Sequence, residues 1–203
     1  MSTVSISKKT DKNESRGRGE KLSAALPVGD DPAKSKKRFR THFVGYAEQH
    51  GGLTGAAPHL LFVNVPVDSP GVIGITETGL EFASLWNPLL DGGASSDRSL
   101  SDDEADFYIR HVQEHLDAEF DAMLFIAESI VQEDNRPDSL SSQVASLNDD
   151  WSDSQASTVR SGIVGRMHEL GLVERERVGQ RGIVYKLTEE GQTLLSSHTQ
   201  HEH

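Results

Sequence analysis

His111, Glu114 and His115 spell HVQEH. On a helix this spacing sets two imidazoles on adjacent turns beside a carboxylate, the HxxEH arrangement in which the histidines hold zinc and the glutamate acts as base. Only these five residues carry the pattern, and they flank an ordinary amphipathic helix in an acid-rich stretch, so the expectation is a solvated helix with no metal and no catalytic residue. The terminal HTQHEH places His198, His201 and His203 in a tail that picks up metal only adventitiously. No GxSxG, GxxxxGK[ST] or dinucleotide fingerprint occurs. The chain has no cysteine, which excludes a disulfide framework, a thiolate nucleophile and cysteine-ligated metal. The expectation is a protein that is not an enzyme and carries no cofactor.

A second chemistry, recognition of a polyanion, is available further along. If Val159 and Ile163 point inward at about 100° per residue, then Ser157, Arg160, Ser161, Val164 and His168 face outward. Small polar residues beside one arginine suit close approach to bases. Arg160 would contact guanine O6 and N7, and Ser157, Thr158 and Ser161 would contact bases or phosphates. Arg175, Arg177, Gln180 and Arg181 follow as basic and polar candidates on a hairpin. The alternative is that all of these are solvated surface on a protein-binding module.

These residues need elements to hold them. SLSSQVASLNDD from 139 reads as a short helix with Leu140, Val144 and Leu147 inward. A longer helix over 154–170 follows, with Ala156, Val159, Ile163, Met167 and Leu170 on one face and Gly171 as its C-cap. Leu172 to Val178 and Ile183 to Leu187 are strand-like runs separated by Gly179, Gln180, Arg181 and Gly182, which predicts a hairpin with a basic tip. Three helices followed by a hairpin is the winged-helix order. The stretch GLVERERVGQRGIVYKLTEEG resembles the end of winged-helix transcription regulators, including the multiple-antibiotic-resistance type, and the likeness covers about residues 120 to 196. It implies that helix 154–170 lies in the major groove of double-stranded DNA and that the tip at 179–182 reaches phosphates or the minor groove.

Upstream, Ser101 and Glu104 fit an SxxE capping box, and Ala105, Tyr108, Ile109, Val112 and Leu116 then form one apolar face. A second helix, about 117–132, carries more apolar surface than one face requires, which points to cover by a partner subunit and a homodimer. Breaks at 91–99 and 133–139 separate these segments.

The first quarter of the chain echoes the last. Aligned with an offset near 120, Phe39 falls on Val159, Phe43 on Ile163, Ala47 on Met167 and Gly51 on Gly171, while VIGITETG at 72–79 parallels IVYKLTEEG at 183–191. The segment LLFVNVPVDSPG between them would be a longer first wing. Lys37, Arg38, Arg40 and Thr41 then occupy the positions of Ser157, Thr158, Arg160 and Ser161, as a second DNA-contacting set or as a basic helix that balances the acidic middle.

Net charge is −12, yet residues 1–50 carry 11 basic and 6 acidic side chains, residues 51–150 carry 3 and 19, and residues 151–203 carry 6 and 7. The acidity is central, so it does not exclude nucleic acid at either end. Asp-rich composition with 8 Lys suggests a host with a salty cytoplasm such as a halophilic archaeon. No signal peptide and no apolar run long enough for a membrane span is present, so the expected location is cytoplasmic.

The expected fold is mainly α with small β-wings, as tandem winged-helix units joined by an acidic helical connector. It divides into a disordered tail at 1–18, an N-terminal unit at 19–90, a linker and connecting helix at 91–116, a C-terminal winged helix at 117–196 and a tail at 197–203. The expected function is a sequence-specific DNA-binding regulator, a repressor. The alternative is a winged-helix adaptor that binds protein through its acidic middle.

Overall fold

The computed structural model describes residues 46–47, 53–68, 72–92, 99–180 and 182–199. The tail expected at 1–18, the basic set Lys37, Arg38, Arg40 and Thr41, the tip residue Arg181 and residues 200–203 lie outside them. The described chain is mainly helical with small antiparallel strand pairs, in two compact units that divide after residue 97.

In the first unit, strands β1 (Tyr46–Ala47) and β2 (Leu53–Thr54) pair, and a single helical turn α1 (Ala56–His59) follows. Strand β3 (Val63–Asn64) pairs with β4 (Gly74–Ile75), and helix α2 (Glu77–Ser84) follows directly. Thr76 holds this junction together. Its side chain caps α2 by accepting from the Gly79 N–H at 3.0 Å, its hydroxyl donates to the Leu61 carbonyl at 2.8 Å, and its N–H donates to the Phe62 carbonyl at 3.0 Å. Among the described residues of this unit only Gly79, Asn87 and Pro88 are buried, so the core of the molecule lies elsewhere.

The second unit runs α3 (Asp102–His115), α4 (Asp117–Val131), α5 (Pro137–Ala145), α6 (Asp153–Glu169), β5 (Val173–Val178), β6 (Gly182–Leu187) and α7 (Glu189–Thr199). The capping box expected at the start of α3 is formed, with the Glu104 carboxylate accepting from the Ser101 N–H at 2.9 Å. Helix α3 packs on α4 and belongs to the second unit, not to a connector between units. Helix α7 continues to Thr199, so 197–199 is helical and not tail.

Helix α4 is the centre of the unit. Phe120, Met123, Leu124, Ile126, Ala127 and Ile130 are buried against α3, α5, α6, α7 and β6. Much of the apolar circumference that suggested a partner subunit is therefore covered by the same chain, with Phe125 half-buried and Ala118 and Val131 at the helix ends exposed. Of the residues expected inward on α5, Leu140 and Val144 are fully buried, but Leu147 lies beyond the helix end and is 53% exposed.

The junction between β6 and α7 repeats the chemistry of Thr76. Thr188 donates its hydroxyl to the Gly171 carbonyl at 2.7 Å and its N–H to Leu172 at 3.1 Å, and accepts from the Gly191 N–H at 3.0 Å. Gly171 has φ 75° and Leu61 has φ 57°. Each positive-φ residue and the one after it carry the carbonyls that meet the threonine, while Gly51, expected to match Gly171, lies outside the described residues.

The buried hydroxyl of Tyr108 on α3 has no hydrogen-bond partner among the described residues. Burial, aided by the nearby Glu119 carboxylate and opposed by Arg166, pushes its pKa from 10.0 up to about 12. A pKa raised by folding gives stability that is intact below pH 10 and declines as pH climbs toward 12. Tyr108→Phe is expected to flatten that alkaline decline in urea titrations run from pH 9 to 12, and to leave neutral-pH stability unchanged or slightly higher, because an unpaired buried hydroxyl is removed. A loss above about 1 kcal/mol at pH 7 would show that the hydroxyl has a partner in solution.

Candidate nucleic-acid interface

Helix α6 is framed at both ends. Ser152 and Gln155 form a capping box, in which Gln155 Oε1 accepts from the Ser152 N–H at 2.9 Å and Ser152 Oγ accepts from the Gln155 N–H at 3.3 Å. This S-x-x-Q signal is legible in the sequence and was missed there. At the other end Gly171 turns the chain into β5.

The expected inward face of α6 is formed, with Ala156, Ile163, Met167 and Leu170 buried and Val159 half-buried; the departure is Val164. Thr158, Ser161 and His168 are exposed. Val164, expected outward, is 1% exposed. Arg166 Nε lies 2.5 Å from Glu119 Oε1, whose side chain is 9% exposed, which fixes α6 on α4. The sector that holds Arg160 therefore faces α5 and β6.

Arg160 is half-buried and reaches three hydroxyls. Its Nε donates to Ser141 Oγ at 3.2 Å, one terminal nitrogen to the Tyr185 hydroxyl at 3.3 Å and the other to Ser157 Oγ at 3.4 Å. Arg160 is thus engaged with its own chain while still part-exposed. The structure joins Ser157 and Arg160 to Ser141 and Tyr185, two residues that sequence reasoning did not select. The signal for Tyr185 was present: it sits opposite Arg175 once the hairpin register is drawn.

That register pairs Arg175 with Tyr185 and Arg177 with Ile183, so these four side chains share one face of the hairpin. Glu174, Glu176 and Lys186 take the other, where Lys186 Nζ lies 2.5 Å from Glu176 Oε2 and its pKa is raised by that hydrogen bond and charge. Arg175 and Arg177 are exposed, and among the described residues neither has a carboxylate partner. Gln180 is exposed in the tip beside Gly179, whose φ is 67°. At the opposite end of α6, Asp149, Asp150 and Asp153 are exposed. These carboxylates suit the positive end of the helix but repel phosphate, so an anion meets favourable charge only on the hairpin side.

His111 is buried, not solvated, with its ring 6.2 Å from Phe107 and 5.0 Å from His115. His115 and Glu114 are exposed and 3.8 Å apart. Among the described residues no group of three or more His, Asp or Glu side chains is placed to hold a metal ion, and no helix is long and apolar enough to cross a membrane.

No protein-family model, no curated protein and no solved structure matches the chain.

Proposed function

We propose that α4, α5, α6 and the β5–β6 hairpin form a winged helix that binds double-stranded DNA, and that the protein is a non-enzymatic transcription regulator acting as a repressor. The observation that carries this reading is that Arg175 and Arg177 share the hairpin face of Tyr185, whose hydroxyl accepts from Arg160 at 3.3 Å. None of the three arginines has a carboxylate partner among the described residues, in a chain with net charge −12. Unpaired cations in so acidic a chain need a function, and phosphate neutralisation supplies one. The exposed small residues Thr158 and Ser161 leave α6 able to approach base edges closely. The repeated threonine junction at Thr76 and Thr188 supports a tandem arrangement in which the first unit is a reduced version of the second.

A specific observation favours the adaptor reading for the first unit. Its described residues contain no Lys or Arg, and Leu80 and Trp86 are each 57% exposed. In this division of labour the second unit holds DNA and the first contacts protein.

The test is fluorescence anisotropy of the whole chain with the duplex upstream of its own coding region and with a scrambled duplex, across a salt series. The expected result is saturable binding with a preference of at least about tenfold, and a log–log salt slope of about −2 to −3 from two or three neutralised phosphates. Absence of duplex binding at about 50 mM salt would remove the DNA reading and leave the adaptor.

A further inference from the structure

The donors around Arg160 outnumber their acceptors. A guanidinium has five N–H donors, and three are used on Ser141, Tyr185 and Ser157 at 3.2, 3.3 and 3.4 Å. These are long contacts, so the group is loosely held by its own chain. The Ser141 hydroxyl spends its hydrogen on the Pro137 carbonyl at 2.8 Å. The hydroxyl hydrogens of Ser157 and Tyr185 have no acceptor among the described residues, although Tyr185 is 5% exposed. Arg175 lies across the ladder from Tyr185 on the same face, also without an acidic partner there. Two spare guanidinium N–H groups and two spare hydroxyl hydrogens thus have no acceptor among the described residues, with a second arginine on the hairpin face of Tyr185.

We propose that Arg160, the hydroxyls of Ser157 and Tyr185, and Arg175 form a seat for a single phosphate group, filled by one backbone phosphate of bound DNA. This rests on the DNA reading above and changes the role of Arg160 within it, from reading a base to anchoring the backbone. A phosphate has acceptor oxygens enough to satisfy every spare donor, and its charge offsets that of a half-buried guanidinium. A guanine edge offers only O6 and N7, which would leave the Ser157 and Tyr185 hydroxyl hydrogens without an acceptor.

The test has two arms on the full chain. In the first, Arg160→Ala and Tyr185→Phe are measured against duplexes in which single phosphates are replaced by neutral methylphosphonates. The expected result is a roughly 10- to 100-fold loss for Arg160→Ala and a several-fold loss for Tyr185→Phe on every duplex, with base preference unchanged. One methylphosphonate position should weaken wild type while adding nothing to Arg160→Ala. In the second arm, the Arg160 Nε–H resonance is followed as inorganic phosphate is added at constant ionic strength, and it is expected to shift in wild type and to need several-fold more phosphate in Tyr185→Phe.

Altered preference at one base in Arg160→Ala would restore the base-reading role and overturn the proposal. Unchanged affinity in both folded variants would reduce the cluster to a packing device. A phosphate-induced shift without any sensitive methylphosphonate position would assign the seat to free phosphate and overturn its backbone role. Should wild type bind no duplex, the DNA reading falls on that result alone, while the second arm still decides whether the seat takes phosphate. If Arg160→Ala does not fold, Tyr185→Phe and Ser157→Ala carry the same comparison.

Discussion

Replacing Arg175 and Arg177 together by glutamate is expected to abolish duplex binding, with a loss of at least about 100-fold near 0.1 M salt and a salt slope smaller in magnitude by about two. Both side chains are exposed on the hairpin face that also carries Tyr185, and neither contributes an ion pair among the described residues. Their reversal should therefore leave the fold intact, as an unchanged urea midpoint would confirm. The mirror experiment uses the opposite face. Glu174→Gln changes a charge of the same hairpin without facing Tyr185, so it should alter binding by less than about threefold. A gain from Glu174→Gln comparable to the loss per charge reversed on the arginine face would mean that the hairpin acts only through total charge, and no loss from the arginine reversal would remove it from DNA binding.

Gly191→Ala should be the most damaging single substitution in the second unit, at about 3 kcal/mol or more. A Cβ built on Gly191 overlaps the carbonyl oxygen of Leu172, which is main chain and has no rotamer by which to withdraw. Leu172 is 1% exposed and accepts from Thr188, so relief requires α7 to move away from the α6–β5 turn. The expected outcome is a melting temperature lower by more than about 10 °C. Gly165→Ala is the control, because nothing lies within 4 Å of the added carbon and an alanine favours the helix. It should hold or raise the melting temperature. In the first unit Gly79 meets the Phe62 carbonyl in the same way, so Gly79→Ala should fail for the same reason.

The parts of this fold that were legible in sequence are those with a local cause. The Ser101–Glu104 box, the helix end at Gly171 and the two strands either side of Gly179 and Gly182 each follow from a few adjacent residues. The inward face of α6 followed as well, with Ala156, Ile163, Met167 and Leu170 buried, but Val164 did not, because apolar residues spread over so much of the helix that its edge is not marked. Helix α6 packs on α4, α5 and β5, and Val164 is buried along with the expected face. The surplus apolar surface of α4 was visible, but not whether its cover came from this chain; α3 and α7 supply it. The parallel of VIGITETG with IVYKLTEEG sets Thr76 on Thr188 in the sequence, but the bonds that tie Thr76 to Leu61 and Phe62 are a hydrogen-bond pattern that the letters do not spell.

The alternation Glu174, Arg175, Glu176, Arg177 gives the hairpin two sides of opposite sign, one facing the arginine cluster and one facing away. For a polyanion approaching from a distance, the net charge of −12 dominates and slows encounter; within about 10 Å at 0.1 M salt, only the arginine side attracts. Orientation is thereby selected before contact. Added salt first relieves the long-range repulsion and speeds arrival, and only at higher concentration weakens the complex by hastening departure.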